Sequence, residues 1–334
     1  MRVKMSEPLT QPPTPAQNAG AKIEEIDEEK LERRDNIRWL ARLAAKEEQI
    51  SNMISSAVYS VKNEILRKAI EIADKTFKEE VVKFAKEIAE NEKDLTKIRL
   101  NAIEIYAGLK AVDTIVNKLL EKYTYRYSDD LVDEDNVIAE MREKTQSIVT
   151  YFLEKYLLYD GVLDDGKQLL EKIIDNLYYY YTISEIKPGL EKDIKMIREQ
   201  IESDHDIVKA TYAILNDMLD LMRDNYDDGL SEGYEAYEEL ERNYVGRYQV
   251  CKVYNQNIVL CSPYGVYLAN NIHFRRIVKH AIEAYAHFKT IEALYKIMKE
   301  ALQEFNINTG EFEKRLAELI SKTTSIIEEI MNYK

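Results

Sequence analysis

From Ile23 to Tyr127 the chain contains no proline and a single glycine, Gly108, and a run of that length without a breaker has few alternatives to helix. Apolar residues recur there at helical spacing. Ile50, Ile54, Ala57, Val61 and Ile65 follow a rhythm that resembles a coiled-coil seam, before Phe77, Val81, Phe84 and Ile88 widen the stripe toward a bundle face. One or two very long helices are expected over 23–127. Their break is expected at Asn91 to Asp94, where polar residues interrupt the stripe and Asp94 can cap a new helix.

Breakers are scarce elsewhere too, with 10 Gly and 6 Pro in 334 residues, and four of the prolines (Pro8, Pro12, Pro13, Pro15) fall within residues 1–22. That arm has too little apolar content to repay the entropy of ordering, and it reads as a flexible linker. Turn signals at Ser128 to Asp130, Asp160-Gly161, Asp165-Gly166, Pro188-Gly189, Asp228-Gly229 and Asn308 to Gly310 separate further helices. These are expected over 131–159, 166–182, 190–225, 230–244, 271–305 and 310–332. The expected fold is an all-α multi-helix bundle. It divides into the arm (1–22), a long helical hairpin or coiled-coil-like segment (23–127), a helical bundle (128–245), a β-hairpin (246–269) and a helical pair packing on the bundle (270–334).

Between Arg247 and Leu268 the period changes to two β-prone runs around Asn255, Gln256 and Asn257, the pattern of an inserted hairpin over 247–268. With a three-residue loop, Tyr254 opposes Ile258 and Cys251 falls opposite Cys261. A cross-strand disulfide is then geometrically reasonable; two buried thiols are the alternative. An isolated hairpin is marginal, so it must lie on the helices or on a partner chain.

Acidic residues outnumber basic ones 61 to 47, and the formal charge of −14 repels phosphate backbones over the surface as a whole. No stretch of 18 apolar residues and no amino-terminal signal core is present. An intracellular or virion location without membrane contact is expected. Abundant Lys, Glu, Ile and Tyr lean toward a thermophilic source.

Three segments carry candidate chemistry. Asp224, Asp228, Glu232 and Glu235 occupy positions 1, 5, 9 and 12 of an EF-hand-like loop with Gly229 at position 6, the acids and glycine a calcium ion requires. Tyr226 stands where an oxygen ligand belongs. Calcium is therefore a candidate ligand, and otherwise no cofactor is expected. Arg275 precedes His280 by five residues, a spacing that resembles that of HEPN-type ribonucleases. There a His moves the proton while an Arg stabilises charge on the phosphate. Arg198 and His205 satisfy a looser form of the same spacing.

His273, His280 and His287 recur every seven residues, roughly 10 Å apart per step and too far to share an ion. Glu283 with His287 offers two ligands, and Glu202 with His205 one Glu-x-x-His, half of what a di-iron bundle needs. The segment 271–299 is locally basic, through Arg275, Arg276, Lys279, Lys289, Lys296 and Lys299. It reads as a solvated face or a nucleic-acid contact. Tyrosines cluster at Tyr123, Tyr125 and Tyr127, at Tyr151, Tyr156 and Tyr159, and at Tyr178 to Tyr181. Four consecutive rings cannot share one core, so some must reach a surface suited to interface contacts.

No glycine-rich phosphate loop and no complete metal or triad spacing is written here. The expectation is a non-enzymatic structural or interaction protein that forms a homo-oligomer or binds a protein scaffold, in concrete form a virus or mobile-element component of a thermophile. The alternative is a metal-independent ribonuclease using Arg275 and His280; a second alternative is a calcium-binding module at 224–235.

Overall fold

The computed structural model describes residues 28–56, 61–91, 93–123, 136–156, 166–204, 207–244, 252–254, 257–259 and 274–332, and its fold class is all-α. Helix α1 (Glu28–Arg42) passes through a 3-10 turn (Leu43–Lys46) into α2 (Glu47–Ser56). Helix α3 (Glu64–Thr76) continues through a π-helical segment (Phe77–Val82) into α4 (Lys83–Glu90). Helix α5 (Leu95–Asp113) runs through a second π-helical segment (Thr114–Leu120) into α6 (Glu121–Tyr123). The expected break is present, and Asp94 caps α5 by accepting from the Lys97 amide at 3.1 Å.

A further break was not expected. Asn63 takes an extended backbone and its side chain accepts from the Ile65 amide at 2.9 Å, starting α3. The described part of 23–127 is thus three helical rods, not one or two very long helices. Ile50, Ile54, Val61 and Ile65 are all buried, so the apolar stripe crosses a chain break that its rhythm does not reveal.

The remaining helices are α7 (Asn136–Tyr156), α8 (Gly166–Glu185), α9 (Leu190–Ser203), α10 (Lys209–Tyr244), α11 (Phe274–Glu304) and α12 (Gly310–Asn332). Two boundaries differ from expectation. The stretch 190–225 is divided between α9 and α10, and α10 runs unbroken for 36 residues through the turn expected at Asp228-Gly229. The cause lies in what packs there. A Cβ at Gly229 would stand 2.7 Å from Phe288 Cε1, and one at Gly233 would stand 2.3 Å from Tyr180 Cδ1. These glycines let neighbouring helices approach a continuous helix closely.

Helix α11 is the centre of the molecule. It packs against α3, α5, α7, α10 and α12, and its buried residues, among them Ile277, Ile282, Ala286, Thr290, Leu294 and Met298, lie all round its circumference. A helix buried on every side belongs to a core, not to a solvated face. A single apolar core extends from Ile37 in α1 to Met331 in α12.

Within 247–268 the described residues form two three-residue strands, β1 (Lys252–Tyr254) and β2 (Asn257–Val259). They pair antiparallel with Lys252 opposite Val259, Val253 opposite Ile258 and Tyr254 opposite Asn257. A hairpin of the expected extent and register is not supported. Two residues separate the strands instead of three, and a one-residue change of loop length changes every cross-strand partner. Cys251 and Cys261, whose juxtaposition followed from the longer loop, lie outside the described residues. Among the described residues no helix is long and apolar enough to cross a membrane.

Candidate functional site

Three residues of α11, His280, Glu283 and His287, point to a polar seam where α11 meets α5, α7 and α10. Glu283 accepts from the Tyr106 hydroxyl at 2.7 Å and from Gln146 Nε2 at 2.9 Å, and Lys110 Nζ lies 3.5 Å away. Lys110 Nζ also stands 2.8 Å from His287 Nε2. An ammonium only donates, so Nε2 accepts and the ring hydrogen sits on Nδ1. That N–H donates to Asn225 Oδ1 at 3.0 Å. One connected chain of polar groups therefore joins four helices.

The surroundings are dry enough to shift protonation. The side chains of Lys110, Glu283 and His287 are 15%, 16% and 13% exposed. Burial, reinforced by the positive charges of Lys110 and Lys118, pushes His287 down to about 3, so the ring is neutral. Burial lowers the Lys110 ammonium against the upward pull of Glu283. Burial and the Glu283 charge both raise the Tyr106 phenol. Each shift follows from desolvation of the charged form.

A second cluster sits further along α11. The Tyr285 hydroxyl lies 2.9 Å from both oxygens of Glu104, while Lys289 lies 2.7 Å from Glu292 and 3.3 Å from Glu80. Burial raises the Glu104 carboxyl. Both clusters adjoin π-helical segments: Glu80 lies within Phe77–Val82, and Asp113 immediately precedes Thr114–Leu120. Asn117 donates to Asp113 at 2.7 Å and Arg142 pairs with the same carboxylate. π turns are uncommon and recur where side chains must be re-aimed.

The residues singled out from sequence meet in an unexpected way. Asp224, Asp228, Glu232 and Glu235 lie along one stripe of α10, spread over roughly 16 Å of helix axis at 1.5 Å per residue. In helical form they cannot enclose one ion, and the EF-hand-like loop is absent because the segment is helix. Among the described residues no group of three or more His, Cys, Asp or Glu is arranged to hold a metal. Glu283 and His287 share an ammonium, that of Lys110, in place of an ion.

The stripe on α10 instead faces the basic side of α11. His280 Nδ1 lies 2.7 Å from Glu232, His287 Nδ1 lies 4.0 Å from Asp228, and Arg276 lies 3.5 Å from Glu239. These pairs step in opposite directions along the two helices, as antiparallel neighbours do. Two of the acids that suggested calcium, Asp228 and Glu232, thus lie opposite histidines of the segment that suggested RNA, while Asp224 pairs with Arg223 of its own helix. Lys296 and Lys299 pair with Glu292 and Glu313, and Arg275 is engaged as well. Arg275 and His280 are about 140° apart around the helix at 100° per residue. His205, Asp206 and His273 lie outside the described residues.

The tyrosine run divides by face. Tyr180 is fully buried, bonded to Thr323 and stacked on Phe288 at 6.4 Å. Tyr178, Tyr179 and Tyr181 are half-buried. Tyr178 and Tyr181 stack at 5.6 Å, Tyr181 and Tyr237 at 5.5 Å, and Tyr234 follows 6.1 Å from Tyr237. Tyr151 is buried, and Tyr123 bonds Asp217; Tyr125, Tyr127 and Tyr159 lie outside the described residues. The aromatic patch ends at a surface depression of 320 Å³ lined by Ser184, Asp227, Leu230 and Tyr234.

Sequence reasoning missed Tyr106, Lys110, Gln146 and Asn225. The one signal available was their polar character inside otherwise apolar helical faces, above all Lys110 between Leu109 and Ala111. Comparison with protein-family models, with curated proteins and with solved structures finds no match to this chain.

Proposed function

We propose that this chain acts as an assembling or scaffold-binding protein and not as a catalyst. The observation that carries this reading is the aromatic patch of Tyr178, Tyr181 and Tyr234, half-buried rings gathered around the buried Tyr237. Large amphipathic rings held rigidly by one another lose little entropy on contact and are enriched at protein interfaces. The mutual pairing of the α10 and α11 charges supports the same reading, since those groups already have partners within the chain. Its concrete form is a virus or mobile-element component of a thermophile, the thermophilic source being read from abundant Lys, Glu, Ile and Tyr.

Gel filtration with light scattering tests this directly. A concentration-dependent multimer, weakened by Tyr181→Ser with Tyr234→Ser, is the expected result. A clean monomer at tens of micromolar that also retains no scaffold protein would overturn it.

A second reading is favoured by one contact. The Glu232 carboxylate holds His280 at Nδ1, which leaves Nε2 as the ring nitrogen for proton transfer, the arrangement of a carboxylate-oriented histidine. The histidine is one-quarter exposed. A metal-independent ribonuclease would cleave RNA in excess chelator, and His280→Ala and Arg275→Ala would each abolish cleavage. Absence of cleavage by the wild type on several RNAs removes this reading.

A further inference from the structure

Arg34, Arg38 and Arg42 follow one another at four-residue steps along α1, and all three are exposed. At roughly 100° per residue they fall within an arc of about 80° and span roughly 12 Å of the helix axis. That arc lies on the side of α1 away from the buried Ile37 and Leu40. Lys30 and Lys46, also exposed, continue the spacing at either end.

None of the three arginines has a hydrogen bond or ion pair with a described residue. The other arginines whose side chains are described each have a partner, among them Arg142 with Asp113, Arg198 with Asp220 and Arg315 with Asp193. In a chain with 61 acidic residues against 47 basic ones, acids to neutralise the row are abundant, yet among the described residues none stands within ion-pair distance of it. The row also opposes the helix that carries it. Like charges four residues apart repel on a helix surface, and the repulsion recurs at every step from Lys30 to Arg42. Helix α11 is the contrast: its Arg276, Lys289, Lys296 and Lys299 pair with carboxylates of the same chain.

What lies beside the row decides the class of partner. A protein interface is built on an apolar or aromatic centre, and a helix held on a bilayer sinks an apolar face into it. The apolar face of α1 is turned into the core, and Leu31, 40% exposed, is the one exposed large hydrophobic residue described on this helix. A line of guanidinium groups without an apolar centre instead matches a polyelectrolyte. Each guanidinium can donate two parallel N–H groups to phosphate oxygens, and a nucleic-acid strand presents phosphates at regular intervals.

We propose that the outer face of α1 is a nucleic-acid contact in which Arg34, Arg38 and Arg42 bind backbone phosphates. Contacts confined to phosphates position the strand and carry no sequence information. The net negative charge of the chain confines the contact to this ridge. It uses no residue of the tyrosine patch, so it stands or falls independently of assembly.

Fluorescence anisotropy with the full chain tests the contact, using labelled duplex DNA, duplex RNA and single strands of mixed sequence. The wild type is expected to bind at least one of these, with log K falling against log salt at a slope of about −2 to −3, as three neutralised phosphates require. Arg34→Gln with Arg38→Gln and Arg42→Gln is expected to weaken binding at least about tenfold and to flatten that slope, and Arg38→Gln alone to reduce it by about one. Lys192→Gln with Lys195→Gln, exposed cations of α9, is expected to leave affinity and slope unchanged. Because the triple substitution relieves like-charge repulsion, it is expected to melt no lower than the wild type. A lower melting midpoint in both the triple and the single variant would overturn the proposal by assigning the arginines to stability. Binding to none of the probes, equal loss in the α9 variant, or an unchanged salt slope in the triple variant would overturn it as well. Binding to phosphatidylserine vesicles without binding to nucleic acid would replace it with a membrane contact, and polyglutamate competing as well as DNA would replace it with an acidic protein.

Discussion

Gly229 and Gly233 show how a residue's meaning depends on what it touches. In sequence Gly229 reads as part of a turn with Asp228, and Gly233 falls inside the helix expected over 230–244. In the folded chain they lie on α10 beneath Phe288 and the fully buried Tyr180. A glycine-to-alanine change on an open helix gains about 1 kcal/mol of stability. Here the added methyl meets rings that have nowhere to go, and Gly233→Ala is expected to lose about 1–3 kcal/mol, the usual cost of overpacking. The sign of the shift in thermal midpoint decides between a packed helix and an open turn. His287 supplies a second test. Its pKa falls from about 6.5 in the unfolded chain to about 3 in the fold. Between those values the unfolded chain binds a proton that the native state refuses. Its contribution is therefore complete above about pH 6.5 and is lost as pH falls toward 3, at no more than about 1.4 kcal/mol per pH unit. His287→Gln is expected to flatten that part of the stability profile, measured by denaturant titration at several pH values. Proton NMR should show the His287 ring neutral with its hydrogen on Nδ1 throughout pH 5 to 8; protonation near 6.5 would refute the buried assignment.

At the scale of elements, the caps were partly legible. Asp94 follows an interruption of the apolar stripe, and the expected cap is the one observed. Asp94→Ala should cost about 0.5–2 kcal/mol in a thermal or chemical melt, the usual range for a lost cap; no change would mean that water satisfies the Lys97 amide equally well. Asn63 performs the same task, yet apolar residues continue on both sides of it and mask the break. The π-helical segments left no trace in the pattern, because one additional residue per turn is set by what the helix packs against. Gly108 indicates the constraint: a Cβ there would stand 2.9 Å from Glu80 Cβ, within the first π segment. The opposed charges of α10 and α11 were visible only as two separate motifs. Each motif recruits the other, and nothing local in either announces its partner some 50 residues away.

For the molecule as a whole, α11 decides the architecture. Helices α3, α5, α7, α10 and α12 all converge on it in one continuous core. Calorimetry should therefore give a single transition for the described helices, with the calorimetric and van't Hoff enthalpies in agreement. Two separated transitions would show that the segment 23–127 folds as its own unit. Scarce breakers and helical spacing determined the all-α class from sequence alone, because helix formation is local and proline or glycine would have interrupted it. Packing decided everything that depends on residues distant in the chain. It made α10 continuous, buried most of α11, and set Glu232 and Asp228 of one apparent site against His280 and His287 of the other. It also gathered tyrosines of α8 and α10 into one aromatic cluster. The physical reason is the same in each case: a charge or a glycine is ambiguous until its neighbour in space is known, whereas a long stretch without breakers is not.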